Sequence, residues 1–421
     1  MLTVHTSPLS LLGGKDAGGL NVYVRDLASQ LAERGIDVDI FTRRFDPSTP
    51  SLVNVRSGVN VISIDAGPAD VIPKDELYCF LPDFASEMAL YSLRNGTRYD
   101  VVHSHYWLSG RAAQLLQRYW PVPTIHTYHT LAHLKNAVTG VEQHESTLRL
   151  TVERQLLEAL DHFVAPNPDE LAELVWGLGA RSSKICTIPP GIDLDRFYPV
   201  DASQARRELR LPDVPLVLYV GRIDPIKDLP TLLRAFARVR QSMSSGPDPK
   251  LLIIGGSAIE TAQGMELGTD LQAVHSQAEQ LGIADDIIFR GAQPQDLLPL
   301  YYAASTVCAV PSLYESFGLV AVEAMACGLP VVATRVGGMK FTVEENYSGL
   351  LVPRSDDVAM ADALRRVLED RDFRATLQVG ARQAAIRFSW HTVGSAVLNL
   401  YEALAEGQSA DLCCFDEIYA S

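Results

Sequence analysis

No two cysteines in the 421 residues are spaced C-x-x-C, and the six present (Cys79, Cys186, Cys308, Cys327, Cys413 and Cys414) are scattered, mostly in apolar contexts. That excludes a zinc ribbon, a thioredoxin-type redox motif and a disulfide-stapled scaffold, and suits reduced thiols in a cytoplasmic protein. An excess of positive charge is also missing: 36 Lys and Arg against 51 Asp and Glu leave a net charge of −15. A nucleic acid is therefore not the expected partner, nor is an anionic membrane, because both demand a basic surface. A small anion, which needs only a local pocket, stays possible. The opening MLTVHTSPL has neither the basic segment nor the apolar run of a secretory signal. No stretch approaches the ~20 consecutive apolar residues that cross a bilayer, so no transmembrane segment is expected. There is no low-complexity tract and no solenoid period.

What is present reads as a globular α/β chain. Hydrophobic residues make up 47%, and at ~150 residues per domain the length predicts two or three domains. Residues 2–6 (LTVHT) predict a strand leading into the glycine-rich loop GGKDAGG. Leu20, Val24, Leu27 and Leu31 then mark one helical stripe over 20–34, closed by Gly35, and IDVDIFTRR alternates as a strand. Strand, loop, helix and strand make a βαβ unit and hence a parallel sheet. YDVVHSHYW (a strand ending near His103), VPTIHTYHT, DHFVAPN and KICTIPPGID continue the series. Proline and charge over 190–215 predict a linker. LVLYVGRID, KLLIIGG, DIIFRG, TVCAVPS, PVVATRVGG and GLLV then begin a second series of strands. The expected fold is two doubly wound Rossmann-like parallel-sheet domains, 1–196 and 197–387. A helix at about 388–407 returns to the first domain and a weakly ordered tail follows at 408–421. Ligands of open α/β sheets sit beyond the carboxyl ends of the strands, here in a cleft between the domains.

Several stretches carry chemistry on that edge. GGKDAGGLN (13–21) turns from strand to helix, where free N–H groups suit a phosphate, but it is neither GxGxxG nor GxxxxGK[ST] and an ordinary tight turn reads equally well. In VGRIDPIKD (220–228), Arg222 and Lys227 could neutralise a diphosphate, or be solvated loop charges. PSLYESFGLVAVEAMACG (311–328) places Glu315 before a helix expected from Phe317 and Glu323 two turns into it, roughly 12 Å apart if all were helical. Among small apolar neighbours a carboxylate such as Glu323 is costly unless it accepts hydrogen bonds, which ribose hydroxyls would supply. HTYHTLAHLKN (126–136) carries His126, His129 and His133. Nothing with ligand spacing accompanies them, so His129 is better read as a donor to a substrate hydroxyl than as a metal ligand. The DVD at 37–39 and the DLD at 193–195 read as structural.

DAGGLNVYV, HSHYWLSG, HTYHTLAHLKN, PPGIDLDRFYP, VGRIDPIKD and ESFGLVAVEA, in this order, make the chain resemble a family-4 retaining glycosyltransferase of the GT-B fold, over about 1–405. The resemblance implies a UDP-sugar donor held by Gly19, Arg222, Lys227, Glu315, Ser316, Phe317, Gly318, Leu319 and Glu323. Glu315 would hold donor-sugar hydroxyls, Glu323 the ribose, and Arg222 and Lys227 the leaving diphosphate. His129, Arg222, Lys227 and Glu315 would be the catalytic group. The acceptor would meet Gly18 and Asn21, and its phosphate would meet Lys74, Tyr106, Thr130 and Arg149. No cofactor and no essential metal are implied. Attack by the acceptor hydroxyl on the face the phosphate leaves retains configuration, so positioning and charge stabilisation are the protein's part.

Two branches of the family match different stretches. VHTSPL, HSHYWLSG and HTLAHLKN resemble the enzymes that place N-acetylglucosamine on inositol phosphate, whereas KDELYCFLPDF (74–84) resembles the sucrose-phosphate synthases. Both acceptors are phosphorylated. The expected reaction is glucosyl transfer from UDP-glucose to fructose 6-phosphate giving sucrose 6-phosphate, with the inositol-phosphate reaction as the alternative. From other classes, a GT-B sugar-nucleotide epimerase would need no acceptor site, and a non-catalytic nucleotide-sugar sensor would lack Lys74, Tyr106 and Arg149.

Overall fold

A computed structural model describes residues 1–10, 18–140, 144–243, 246–261 and 264–407. Residues 13–17 of the glycine-rich loop lie outside these residues, as does the tail at 408–421 with Cys413 and Cys414. The chain divides into two compact units, with boundaries at 191/192 and 389/390 rather than at 196/197 and 387/388.

In the first unit, strands β1 (Val38–Arg43), β2 (Leu52–Arg56) and β3 (Val59–Ile64) run in the order β1-β3-β2, with β2 antiparallel at the edge. Strands β4 (Val102–His105), β5 (Thr124–Thr127), β6 (His162–Ala165) and β7 (Ile185–Thr187) pair in parallel in that order. The strand expected over 2–6 is reduced to Leu2, which bridges Phe41 of β1 and Ser104 of β4 and so joins the two groups. Beyond it the chain turns: the Thr6 carbonyl accepts from the hydroxyls of Thr3 and Thr42, which takes it out of the ladder. Strand β4 runs on to His105 rather than ending at His103.

The predicted stripe lies on the helix Gly19–Ala32, where Val24, Leu27 and Leu31 are fully covered and Leu20 packs against the same cluster. They meet Ile40 of β1, Val61 of β3, and Val393, Val397 and Leu400 of the helix Trp390–Ala405. Burial of each such side chain contributes about 1.5–3 kcal/mol.

The second unit holds a parallel sheet ordered β12-β9-β8-β13-β14-β15, made of β8 (Leu216–Val220), β9 (Lys250–Ile254), β12 (Ile287–Gly291), β13 (Val307–Val310), β14 (Val331–Thr334) and β15 (Gly349–Val352). A hairpin of β10 (Ala258–Thr261) and β11 (Gly264–Leu267), not foreseen, follows β9. The sequence order runs outward from β8 through β9 to β12, then restarts beside β8 at β13. Loops leaving β8 and β13 therefore diverge at the switch point, where open α/β sheets bind ligands. The expected linker over 190–215 is not irregular throughout: Asp201 accepts from the Gln204 N–H at 2.8 Å and starts the helix Ala202–Glu208.

Candidate functional site

At that switch point of the second unit, the loop after β8 carries Arg222 and Lys227 and the loop after β13 carries Glu315. Leu313 N–H donates to the Ile226 carbonyl at 2.8 Å, fastening the loops together. Lys227 Nζ lies 2.5 Å from Glu315 Oε2, which Ser312 Oγ approaches at 3.4 Å. Arg222 pairs with Asp224 at 3.2 Å and remains 44% exposed. Tyr219, buried at the end of β8, donates its hydroxyl to the Arg222 carbonyl at 2.7 Å and fixes the start of the loop.

The helix beginning here is Leu319–Ala326, not one starting at Phe317, so Glu323 stands just over one turn in rather than two. Gly318 precedes it at φ 94, and a Cβ there would strike Met339 Cε. A Cβ at Gly337 would strike the Glu315 carbonyl, whose oxygen accepts from Gly338 N–H at 3.0 Å. The Gly337–Gly338 pair, read from sequence only as the end of PVVATRVGG, thus seats the backbone of Glu315, Ser316 and Phe317. Phe317 is buried edge-on to Phe388, ring centroids 5.3 Å apart.

Glu323 is only 7% exposed, and Tyr302 donates its hydroxyl to Oε2 at 2.7 Å. Burial, and next to it the Glu323 carboxylate, push the Cys308 and Cys327 thiols and the Tyr302 hydroxyl upward. A carboxylate buried among two thiols and a phenol is oriented by the Tyr302 hydroxyl.

The first unit builds its own cluster where β4 and β5 end. Tyr106 follows β4 with φ 75 and His129 follows β5 with φ 61; neither is glycine, so both backbones are strained by about 1–2 kcal/mol. Lys74 Nζ stands 5.5 Å and Arg149 Cζ 4.6 Å from the Tyr106 ring centroid. Thr130 joins them through its hydroxyl, 3.0 Å from Arg149 Nη2. The structure therefore brings Lys74, Tyr106, Thr130 and Arg149 together.

Every donor of Arg149 is engaged within the chain. Nε donates to Glu153 at 2.6 Å; Nη1 to Tyr106 Oη and Glu145, both at 2.9 Å; and Nη2 to the carbonyl and hydroxyl of Thr130 at 2.6 and 3.0 Å. Burial pulls the Arg149 pKa down, but Tyr106, Glu153 and Glu145 outweigh it and hold the guanidinium charged. Glu153 also accepts from Ala132 N–H at 2.9 Å, and Glu145 pairs with Lys135 at 2.7 Å. Arg43, buried among the core, donates to the carbonyls of Pro68 and Asp70 and pins the segment that delivers Lys74.

Asn21 is buried, and its amide donates to Thr6 Oγ1 at 2.8 Å and the Ser7 carbonyl at 2.5 Å. It reaches Gly18 N–H at 3.5 Å, so it shapes the turn beside Gly18 and Gly19 from within. The three motif histidines have three separate partners: His126 with Ser104 at 2.9 Å, His129 with His105 at 3.1 Å, His133 with Glu173 at 2.7 Å. Among the described residues no group of three or more His, Cys, Asp or Glu is placed to hold a metal ion. The aspartates of DVD and DLD are in structural use: Asp39 accepts from Tyr99 at 2.6 Å, and Asp193 from the N–H of Asp195 at 3.0 Å.

Sequence reasoning missed His5, Arg43, Glu145 and Glu153. His5 packs against Tyr106 with the rings tilted by 37° and their centroids 4.3 Å apart, and among the described residues its Nδ1 finds no hydrogen-bond partner. Burial, then Lys74, Arg149 and His129, push its pKa well below the usual imidazole range. Only Glu145 and Glu153 had a readable signal, each standing four residues from Arg149.

Comparison with known proteins places this architecture. The family described as "Glycosyltransferase Family 4" matches residues 17–196, and "Glycosyl transferases group 1" matches residues 201–384. The D-inositol 3-phosphate glycosyltransferase of Acidothermus cellulolyticus is 42% identical over 418 residues, 97% of this chain and 91% of that protein. The protein of the same name from Corynebacterium jeikeium is 40% identical over 411 residues, 96% of each chain. The solved structure of a sucrose-phosphate synthase from Thermosynechococcus elongatus is 36% identical with a TM-score of 0.87, covering 97% of this chain and 98% of that one. No helix among the described residues is long and apolar enough to cross a membrane. With two units each built on parallel strand pairing and both family regions matched in order, the chain belongs to the family-4 glycosyltransferases of the GT-B fold.

Proposed function

We propose that this enzyme transfers a hexosyl group from a UDP-sugar to a hydroxyl of a phosphorylated polyhydroxy acceptor, with retention at the anomeric carbon. The observation that carries this reading is the convergence of Lys74, Tyr106, Thr130 and Arg149 on one spot at the ends of β4 and β5. Such a cluster has little use for a neutral sugar and suits a phosphate held beside hydroxyl donors.

On the donor side, Arg222 and Lys227 offset charge on the departing diphosphate, Glu315 accepts from sugar hydroxyls and Glu323 from the ribose. Their loops leave adjacent strands, so the cations and the carboxylates come preorganised. The acceptor hydroxyl attacks on the leaving-group face, and the phosphate oxygen takes its proton. His129 donates a hydrogen bond to the sugar near the reacting centre.

The relatives named D-inositol 3-phosphate glycosyltransferases favour inositol 3-phosphate as acceptor, for which the family resemblance implies N-acetylglucosamine as the sugar; the 36% identity to a sucrose-phosphate synthase supports UDP-glucose with fructose 6-phosphate as a second reading. Incubating the purified protein separately with each pair and measuring UDP release distinguishes them, and the anomeric coupling constant of the product reports retention. UDP release no faster with either phosphorylated acceptor than with none would overturn the proposal.

A further inference from the structure

His105 closes β4 and His129 stands just past β5, the neighbouring parallel strand. His105 Nδ1 and His129 Nε2 are 3.1 Å apart. His105 is fully covered, and among the described residues its Nε2 has no hydrogen-bond partner. Tyr23 sets its ring edge-on to both imidazoles, at centroid distances of 5.6 and 5.2 Å, and His103 lies 4.2 Å from His105 on another side.

One proton lies between the two rings, and its owner decides both tautomers. If His129 donates from Nε2, His105 must carry its own hydrogen on Nε2, and that N–H is stranded in the core. If His105 donates from Nδ1, only an unpaired imidazole lone pair remains there. Stranded buried N–H groups are the rarer of the two. In the second arrangement His129 carries its hydrogen on Nδ1, the nitrogen His105 does not touch. Burial keeps both rings neutral, His129 pushed down to about 3 and His105 well below its ordinary value. The strained backbone at His129, with φ 61, persists only where its surroundings hold it, and the contact with His105 is one such hold.

We infer that His105 is a positioning residue: by donating Nδ1–H to Nε2 of His129 it fixes that ring's orientation and leaves it a single outward N–H donor, on Nδ1. This rests on the reading that His129 meets the donor sugar. The wrong tautomer would present a bare nitrogen, which can accept from a sugar hydroxyl but cannot donate to its oxygen.

Long-range proton–nitrogen correlation NMR of the intact protein, with His129 assigned from the spectrum of His129→Ala, tests the tautomer without any substitution at position 105. Hydrogen on Nδ1 of His129 is expected, and hydrogen on Nε2 overturns the inference. His105→Phe should shift His129 to a tautomeric mixture and lower kcat on the order of 10–100-fold, by analogy with the range seen when the outer partner of a metal-bound histidine is removed. The KM for the UDP-sugar should change less than kcat, because the bond affected lies at the reacting centre while the diphosphate and ribose contacts are untouched. His105→Gln, whose amide can donate to the same nitrogen, should recover much of the rate. A folded His105→Phe protein, judged by UDP binding and melting, that keeps full kcat also overturns it. Should His129→Ala itself retain full kcat, the donor-sugar role of His129 falls, while the NMR result still decides who holds the proton.

Discussion

Lys227 and Glu315 face each other 2.5 Å apart from the ends of neighbouring strands β8 and β13, and both are more than three-quarters covered. The cation assigned to the leaving diphosphate is thus paired, before any ligand arrives, with the carboxylate assigned to the sugar. Each keeps the other from adopting a wandering rotamer. Lys227→Ala should lower kcat about 10²–10³-fold, as does removal of one donor aimed at developing charge. Glu315→Gln should fall as steeply, and the double variant by less than the product of the two. Steady-state UDP release measured for all three proteins checks this, and strict additivity would dissociate the pair.

Glu323 is held by Tyr302 and shielded from water. If it accepts from the ribose, Glu323→Gln should weaken UDP binding about 10–100-fold, the value of a charge-assisted hydrogen bond. Tyr302→Phe removes the orienting bond alone and should weaken it less than tenfold. Titration calorimetry with UDP measures both; an unchanged dissociation constant for Glu323→Gln would remove the ribose assignment.

Arg149, proposed above to meet the acceptor phosphate, is also a structural ion. Arg149→Met would leave Glu153, itself 2% exposed, without its cation, and breaking such a buried pair costs about 3–5 kcal/mol. Urea unfolding should show that loss in the first unit. Arg149→Met/Glu153→Leu, which removes both charges, should regain much of it while acceptor binding stays impaired.

His103, His105 and His126 are fully covered, and burial, the leading cause in each case, drives their pKa values down, His126 to about 3. In the unfolded chain they titrate near ~6.5. Between those values the unfolded state binds the extra protons, so stability is complete above ~6.5 and declines as pH falls. Each histidine contributes a slope of up to ~1.4 kcal/mol per pH unit. His5 and His129, whose values burial also lowers, add to these three, so melting temperatures from pH 7.5 to 5.5 should drop with an uptake approaching five protons; a flat profile would contradict the buried neutral cluster.

Many of the parallel strands could be read from the chain because buried parallel strands are short apolar runs closed by Gly or Pro, as LVLYV and KLLII are; β2 and β3, and the β10–β11 hairpin, were not read. The stripe on Gly19–Ala32 was equally plain. Missing were features set by distant partners. The expected strand at 2–6 turns away after Leu2 because Thr3 and Thr42 draw the Thr6 carbonyl out of the ladder. The proline-rich stretch before Ala202–Glu208 masked a D-x-x-Q start, Asp201 to Gln204, that was there to see. On the donor side, Arg222, Lys227, Glu315 and Glu323 were visible as charges at strand ends or amid small residues. On the acceptor side no local signal announced His5, because its meaning comes from Tyr106, a hundred residues away.

On the proposed reading, the saturation of Arg149 would make acceptor capture a substitution, not an addition. Glu145 already occupies one corner of the guanidinium and ties down Lys135, so a phosphate that took that corner would have to evict a resident carboxylate. A threshold of this sort turns away anions weaker than the tenant and admits a well-placed dianion. Replacing Glu145 with Gln should blunt that discrimination: inorganic sulfate, a poor competitor of acceptor in the wild type, should become an effective inhibitor of the variant, and equal inhibition constants in the two proteins would show that no eviction takes place.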